Sequence, residues 1–317
     1  MAVLVTGASG FLGNHITRRL VQSGRPVRGV VQNVDKARRR LSDVLDSVEI
    51  VTGDVTRMED MRRVMKGVDA VVHLVAVPME RGGATYEAVN YQGTINVVDA
   101  AKEAGVERFI NMSQNGATPD HFSRFLRSKG QAQVYVAGSG LKWTALRPSV
   151  VFGPQDEFFN AIARLVRLTP VVYPLIGGGN AEFQPVSVYD VAEAVVRSLD
   201  DDSTIGQEYG LGGPEVLTLG EIERRILRAM GTRRILIPAP VPVLRPVVWL
   251  MERTLKGSPV TTALLDLLKE PNVVPDNALV TKFGLQPRPF SGENIAYVRD
   301  TSAGQALRAL LTGETVN

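Results

Sequence analysis

VLVTGASGFLG, residues 3–13, decides the fold of this chain. Its apolar start leads into three glycines, Gly7, Gly10 and Gly13, and then into a helical pattern. In the strand–turn–helix that this order predicts, the first glycine permits the sharp turn and the second lets a pyrophosphate approach the backbone. The third lets the helix pack closely against the strand. The helix start offers N–H groups and a positive dipole end to phosphates. The stretch predicts a dinucleotide site; the alternative is a purely structural turn.

The composition is that of a globular protein and narrows the functional classes. Hydrophobic residues make up 44% and charged residues 22% of the 317 residues, as in chains with a substantial core. The 36 basic and 33 acidic residues nearly balance, which argues against a nucleic-acid partner. Cysteine is absent and the three histidines are scattered, so no metal site is expected. Without a signal-peptide pattern or an apolar stretch of about 18 residues, a cytoplasmic location is expected.

Strand and helix patterns alternate through the first half of the chain. The predicted strands are 2–6, 26–31, 48–51, 69–74, 107–112 and 142–147. The predicted helices between them are 11–23, 57–66, 84–105 and 122–138. This alternation implies right-handed crossovers and a parallel sheet with helices on both faces. The predicted fold class is α/β, a Rossmann-type doubly wound parallel sheet with a smaller, mainly helical C-terminal substrate lobe.

The pattern changes after about residue 150, where prolines and glycines become frequent. Segments predicted to return to the sheet domain are a strand at 183–186, a helix at 189–199 and a strand at 208–211. Helices predicted for the smaller lobe are 218–231, 241–256 and 260–270. The predicted dinucleotide-binding domain is therefore 1–150 with 182–211, and the predicted substrate or partner lobe is 151–181 with 212–317. A substrate cleft is expected between them, at the carboxyl ends of the strands.

Further segments carry a family resemblance. They are Gly53-Asp54-Val55, DAVVHLVA at 69–76, NYQGTINVV at 90–98, LRPSVVFGP at 146–154 and VYDVA at 188–192. Together with T-G-x-x-G-x-x-G at 6–13, they resemble the extended or atypical short-chain dehydrogenase/reductase superfamily, which includes NAD-dependent epimerases and dehydratases. The resemblance covers most of the chain. It implies an NAD(P)-binding Rossmann domain in which Asp54 faces the adenine and 146–154 lies beside the nicotinamide.

Three later segments are similar to one subgroup of that superfamily. They are FGPQDEFFN at 152–160, PLIGGG at 174–179 and FQPV at 183–186. The subgroup is that of the nucleotide-binding accessory subunit of respiratory complex I. Its members bind a nicotinamide dinucleotide, and many are structural or assembly partners. The resemblance therefore implies a membrane-associated respiratory or quinone-linked complex as a partner.

The catalytic signature is where the sequence departs from the family. The family places a Tyr four residues before a Lys, so that both lie on one helix face; the Lys lowers the Tyr pKa and the Tyr moves the proton. Here Lys129 matches, but Phe125 stands at the Tyr position and has no proton to give. Ser113 is the candidate for the family's Ser/Thr, although strict register points to Gln114. His121 is an alternative helper for Lys129, or an ordinary loop histidine.

The resemblance implies a set of cofactor-binding residues. They are Gly7, Ser9, Gly10, Phe11, Leu12, Gln32, Lys36, Asp54, Val55, Leu74, Val75, Ala76, Asn90, Met112, Ser113, Lys129, Pro148 and Val151. An NAD-preferring site has an acidic residue at the end of the second strand, where this chain has the neutral Gln32. Nearby basic residues, Lys36 and 38–40, suit a 2′-phosphate or form a solvated helix face. NADP is therefore favoured over NAD.

Two functions stay open on this sequence. One is a dinucleotide-binding protein with weak or absent oxidoreductase activity and a structural role. The other is an active NAD(P)H-dependent reductase or epimerase that uses Lys129 with Ser113 or His121. The helices 84–105 and 122–138 form the family's usual homodimer surface. Residues 240–255, rich in Pro, Val, Trp and Arg, either dock on a membrane surface or partner or line the substrate lobe.

Overall fold

The computed structural model describes residues 1–255 and 260–312 and divides them into two compact units. Unit 1 comprises Met1–Pro148, Val188–Leu211 and Asp276–Leu285. Unit 2 comprises the described residues of Ser149–Ser187, Gly212–Pro275 and Gln286–Asn317. No helix within the described ranges has the length and apolar character needed to cross a membrane.

Strands and helices alternate along the chain. The strands are β1 (Val3–Thr6), β2 (Val27–Val31), β3 (Val48–Thr52), β4 (Ala70–His73), β5 (Arg108–Met112), β6 (Lys142–Pro148), β7 (Val151–Phe152), β8 (Val172–Ile176), β9 (Glu182–Phe183), β10 (Val186–Ser187), β11 (Gln207–Leu211), β12 (Leu217–Thr218) and β13 (Ile235–Ala239). The helices are α1 (Phe11–Gln22), α2 (Val34–Arg40), α3 (Met58–Val64), α4 (Gly93–Glu103), α5 (Arg124–Ala137), α6 (Phe158–Leu168), α7 (Val188–Asp200), α8 (Leu219–Ala229), α9 (Val241–Thr254), α10 (Thr262–Leu267), α11 (Ala278–Thr281) and α12 (Ala303–Thr312).

A seven-stranded parallel sheet forms the centre of unit 1, in the order β11-β6-β5-β4-β1-β2-β3. The order from β3 to β6 is that of dinucleotide-binding folds, and it reverses direction beside β1. β1 and β4 are buried along their whole length, which explains their nearly continuous apolar sequences. The predicted Rossmann-type α/β fold is confirmed.

The helix predicted over 84–105 is two structures in series. Residues Tyr86–Gln92 form wide turns of the π type, and α4 continues from Gly93 as a regular helix. Turns of this type are rare and often mark functional sites. Here the wide turns carry Asn90, whose side chain is fully buried.

The strand predicted at 183–186 is wrong in its extent and its partners. β9 ends at Phe183 and pairs antiparallel with β12, while β10 begins at Val186 and pairs with β7. Pro185 lies between them and has no N–H to continue a ladder. Both short strands belong to unit 2, so the chain re-enters unit 1 at Val188 and not at 182. The segment Asp276–Leu285, expected in the lobe, lies in unit 1.

Unit 2 has an apolar core of its own, in which α6 packs against α8. The aromatic side chains of this core include Phe152, Phe159 and Phe290. Its helices are accompanied by two-stranded sheets. The carboxyl group of Glu223 is fully buried in unit 2. Its Oε1 accepts hydrogen bonds from the Tyr173 hydroxyl (3.1 Å) and, at 3.4 Å, from a backbone N–H. Burial raises the pKa of Glu223 to about 8, so this side chain is neutral at pH 7.

Candidate dinucleotide site

The glycine turn has the backbone geometry that its sequence predicts. Gly7 has φ of 70°, a conformation that residues with side chains rarely adopt. A Cβ atom on Gly13 would lie 2.1 Å from the Gly7 carbonyl oxygen, and one on Gly10 would lie 3.0 Å from the same oxygen. The start of α1 therefore lies against the turn at a distance that only glycine allows.

The amino end of α1 suits an anion. Gly10 is the capping residue and has no side chain to satisfy the first N–H groups, and the first turn contains no acidic residue. Phe11 and Leu12 begin the helix with half-buried side chains. Arg40, at the end of α2, donates from Nη1 to the Ser9 carbonyl oxygen at 2.9 Å. A guanidinium group thus lies directly beside the turn, and the donors present fit a pyrophosphate.

The structure brings together two predicted residues from the ends of β2 and β3. Gln32 Nε2 donates to Asp54 Oδ2 at 3.0 Å, and Asp54 Oδ1 accepts from the backbone and hydroxyl of Thr56. Val55 is buried, and its carbonyl oxygen accepts from Asn96 at 2.8 Å. Lys36 is exposed on α2, and its backbone N–H bonds to the Asn33 side chain. Arg40, which follows Lys36 on α2, is thus a basic residue hydrogen-bonded to the glycine turn.

The loop after β4 lies against the glycine turn. A Cβ atom on Gly7 would lie 3.0 Å from Val75 Cγ2, and the Leu74 N–H donates to the Thr6 hydroxyl at 3.0 Å. Leu74, Val75 and Ala76 are all half-buried. Asn90 fixes the end of this loop: its Oδ1 accepts from the Val77 N–H at 2.8 Å. The predicted segments at 6–13, 69–76 and 90–98 are therefore in mutual contact.

A buried hydrogen-bond chain through His73 was not anticipated from the sequence. His73 Nδ1 lies 2.9 Å from Thr6 Oγ1, and its Nε2 lies 3.0 Å from Thr94 Oγ1. Thr6 accepts from Leu74, and Thr94 donates to the Asn90 carbonyl oxygen. Each hydroxyl has one proton, so Thr6 donates to Nδ1 and the imidazole proton is on Nε2. Burial, and next the charge of Lys129, lowers the pKa of His73 to about 3, so the ring is neutral.

Lys129 contacts the last residue of β5, and Ser113 follows that residue in the sequence. Lys129 Nζ donates to the Met112 carbonyl oxygen at 2.6 Å, and the side chain is 5% exposed. Burial lowers the pKa of Lys129 to about 8. Ser113 follows Met112, and its backbone N–H donates to the Leu146 carbonyl oxygen. Its buried hydroxyl has no hydrogen-bond partner among the described residues. A buried hydroxyl without a partner beside a lysine suits a bound polar ligand.

The neighbouring candidates are engaged elsewhere. Gln114 Nε2 donates to the Pro148 carbonyl oxygen at 3.2 Å, so Ser113 and not Gln114 offers the unpaired hydrogen-bonding group. His121 Nδ1 accepts from the Ser123 N–H at 2.9 Å, just before α5. Val151, the last predicted cofactor residue, lies on β7 in unit 2.

Phe125 is one turn before Lys129 on α5, as predicted. Its ring centroid lies 5.8 Å from that of Tyr86 at an interplanar angle of 56°, a tilted contact between two aromatic rings. The Tyr86 hydroxyl donates to the Pro78 carbonyl oxygen at 3.0 Å. Ser128, on the same helix, accepts from Asn90 at 3.1 Å and donates to the Phe125 carbonyl oxygen. Phe125 is thus packed into the helix–helix contact and supplies no hydroxyl.

A sequence model described as NAD(P)H-binding matches residues 7–202, more than half of the chain. The chain belongs to the NAD(P)H-binding family. The match begins at the first glycine of the turn and runs through α7, so it includes the Gln32–Asp54 pair and the Lys129–Met112 contact. A nicotinamide dinucleotide is therefore the cofactor class of this family member.

Known relatives agree with this assignment. The mitochondrial NADH dehydrogenase (ubiquinone) 1 alpha subcomplex subunit 9 of Arabidopsis thaliana is 33% identical over 75% of this chain, which covers 60% of that relative's length. Among solved structures, a nucleoside-diphosphate-sugar epimerase from Staphylococcus aureus has a TM-score of 0.73 at 20% identity, with 95% and 100% of the two chains covered. The Bordetella bronchiseptica enzyme WbmH, solved with NAD+, has a TM-score of 0.69 at 21% identity, with 94% and 98% covered. The predicted resemblance to complex I subunits and to the extended reductase/epimerase fold is confirmed.

Proposed function

We propose that this protein binds a nicotinamide dinucleotide and has weak or no oxidoreductase turnover, serving as a structural or regulatory partner of a respiratory, quinone-linked complex. The observation that carries the proposal is Phe125. It stands one helical turn before Lys129, packed on Tyr86, where the chemistry of the family needs a hydroxyl. Removal of a general acid costs about 10²–10⁴ in rate.

The backbone around the glycine turn supports dinucleotide binding independently of catalysis. The turn, the uncapped helix start and the Gln32–Asp54 pair would hold the two phosphates and the adenosine. Lys129 and Ser113 would bind the nicotinamide ribose with the ammonium group and the unpaired hydroxyl. When bound, the nicotinamide ring supplies or accepts a hydride.

The proposed cofactor is NADP(H). The end of β2 carries the neutral Gln32, which lacks the charge that favours a ribose diol. Arg40 lies beside the glycine turn with its guanidinium on Ser9, where it supports binding of an additional phosphate. Arg40→Ala is expected to lower NADPH affinity about tenfold and NADH affinity by less than threefold, because a bidentate phosphate contact contributes about 1.5 kcal/mol or more.

The proposed partner is suggested by the Arabidopsis thaliana relative, whose name places it in an NADH dehydrogenase subcomplex. We propose a cytoplasmic protein, peripheral to the membrane, that joins such a complex; α4 and α5 would serve as a homodimer surface in its absence.

The test is a comparison of binding with turnover. Calorimetry should show binding of NADPH, and a panel of sugar-nucleotide, steroid and quinone substrates should show no steady NADPH oxidation. Phe125→Tyr should then create measurable turnover, because it restores the hydroxyl beside Lys129. Failure to bind either NADPH or NADH removes the proposal, as does rapid turnover by the unaltered protein.

A second function, an active reductase or epimerase, is favoured by one observation. The unpaired Ser113 hydroxyl and the Lys129 ammonium group flank Met112 and could orient a carbonyl substrate without a tyrosine. In that case Lys129→Met would abolish turnover and Ser113→Ala would reduce it. If both variants kept full turnover, this mechanism would be wrong.

A further inference from the structure

Helix α9 of unit 2 is apolar on the side that faces solvent. Val243, Val247 and Leu250 follow an i, i+4, i+7 spacing and are 65%, 54% and 56% exposed. Trp249 is 48% exposed beside them. The opposite side of the helix, which includes Leu244 and Val248, packs into the core of unit 2. A helix at a water-exposed surface ordinarily has polar residues on its outer side, so this outer side lacks its partner.

Strand β13 adds apolar surface immediately before α9. Ile235 and Ile237 point to the same side because strand residues alternate, and they are 61% and 49% exposed. Only Pro240 separates the strand from the helix. The exposed apolar residues of β13 and α9 are called the outer face below.

Basic residues outnumber acidic residues on and around the outer face. Residues 224–251 include six arginines and no aspartate or glutamate. Arg253 places its guanidinium carbon 3.8 Å from the centre of the Trp249 ring, so its charge is held next to apolar surface. Arg245 forms an ion pair with Asp266, which also pairs with Lys269. These three residues together keep a net positive charge. Glu252 is the acidic residue nearest to Arg253 in the sequence.

We propose that the outer face docks on the surface of an anionic lipid bilayer. Its apolar side chains would enter the boundary between headgroups and acyl chains, with Trp249 at headgroup level and the arginines on lipid phosphates. A second copy of this chain is a poor occupant, since a two-fold interface would bring the arginine cluster against its own copy. The proposal does not depend on dinucleotide binding in unit 1.

The experiment uses the full chain and vesicles of two compositions, phosphatidylcholine alone and an equal mixture with phosphatidylglycerol. The protein should float with the mixed vesicles, and added salt should weaken the association because exposed charges are screened. Val247→Glu with Leu250→Glu should reduce binding at least tenfold, roughly what burial of two apolar side chains supplies. The matched control is Val280→Glu with Leu307→Glu, which puts the same charges at comparably exposed positions outside the outer face.

Tryptophan fluorescence supplies a second readout. Trp249 should shift to shorter wavelength on mixed vesicles, and Trp249→Phe should remove the shift while Trp143 still fluoresces. Calorimetry with NADPH on the same variants separates this proposal from the proposed function, because the face variants should bind the dinucleotide normally. The proposal is overturned if the unaltered protein ignores anionic vesicles or if the control pair loses as much binding. It is equally overturned if the face variants convert a dimer into a monomer without any vesicle binding, since the outer face would then join two copies.

Discussion

The two ends of the candidate site are built from different materials. At the proposed phosphate end the backbone makes the site: glycines 7, 10 and 13 bring a turn and a helix start into contact. At the proposed nicotinamide end, the chemistry would depend on single side chains, chiefly Lys129 and the residue one turn before it. A backbone site cannot change without disturbing the fold, whereas a side-chain site can lose one group and keep its packing. In the function proposed above, Phe125 is an example of the second case.

The largest expected effect tests the backbone end. Gly13→Val should abolish dinucleotide binding and lower the free energy of unfolding by about 3 kcal/mol or more, because the new atoms overlap the Gly7 carbonyl. Chemical denaturation and calorimetry measure the two effects. Gly304→Ala is the control: its Cβ meets open space within α12, so stability should stay the same or rise by up to about 1 kcal/mol. Normal NADPH binding by Gly13→Val would show that the turn is not the phosphate site.

The next effect concerns the buried charge of Lys129. Its pKa is about 8 in the folded protein and 10.5 ordinarily, so the unfolded chain binds the proton more tightly. Stability contributed by this residue therefore rises between pH 8 and 10.5, by on the order of 3 kcal/mol. The free energy of unfolding, measured by chemical denaturation at pH 7 and at pH 10, gives this gain directly. Lys129→Met should remove it. The exposed Lys142→Met should retain it, and equal curves for the two variants would contradict the burial of the ammonium group.

A smaller loss is expected where side chains support the backbone end. Thr94→Val removes the acceptor of His73 Nε2 and leaves a buried N–H unpaired. The cost should be about 1–3 kcal/mol in the free energy of unfolding. The same series of hydrogen bonds continues from His73 through Thr6 to Leu74, in the loop beside the glycine turn. NADPH affinity should therefore fall as well. Thermal denaturation with and without NADPH measures both effects. If the midpoint temperature did not change, the hydrogen bonds of His73 would support neither the fold nor the site.

The smallest effect is expected at Ser113. Its hydroxyl is buried without a partner, so Ser113→Ala should change the free energy of unfolding by no more than about 0.5 kcal/mol. NADPH affinity should nevertheless fall a few-fold, because the proposed hydrogen bond between this hydroxyl and the cofactor is lost. A large loss of stability with unchanged affinity would instead assign Ser113 to the fold, and the contrast between the two ends would weaken.

The sequence predicted the sheet domain well because its signals are local. Glycine spacing, apolar strands and alternation locate the β1–α1 turn, the parallel sheet and the Lys129 helix within a few residues. The return point of the chain was predicted less accurately, since Phe183 and Val186 find their partners in β12 and β7, more than 30 residues away in each case. Periodicity has no information about such pairing.

Buried polar contacts were also beyond local signals. The sequence shows His73 at the end of an apolar strand, but its partners Thr6 and Thr94 come from two other elements. Arg40 was one of four neighbouring basic residues, and only its contact with Ser9 distinguishes it. Such contacts depend on which elements the fold brings together.

Glu223 makes the proton act as a stabilising ligand of the folded protein. Its carboxyl group holds a proton in the folded state up to about pH 8 but releases it near pH 4.5 in the unfolded chain, so the proton binds the folded form preferentially. Between those values, each rise in pH withdraws this ligand and lowers the stability of unit 2, the reverse of what Lys129 does for unit 1. The pH of the surrounding solution therefore affects the stability of unit 2 through this one carboxyl group, as the concentration of a bound ligand would.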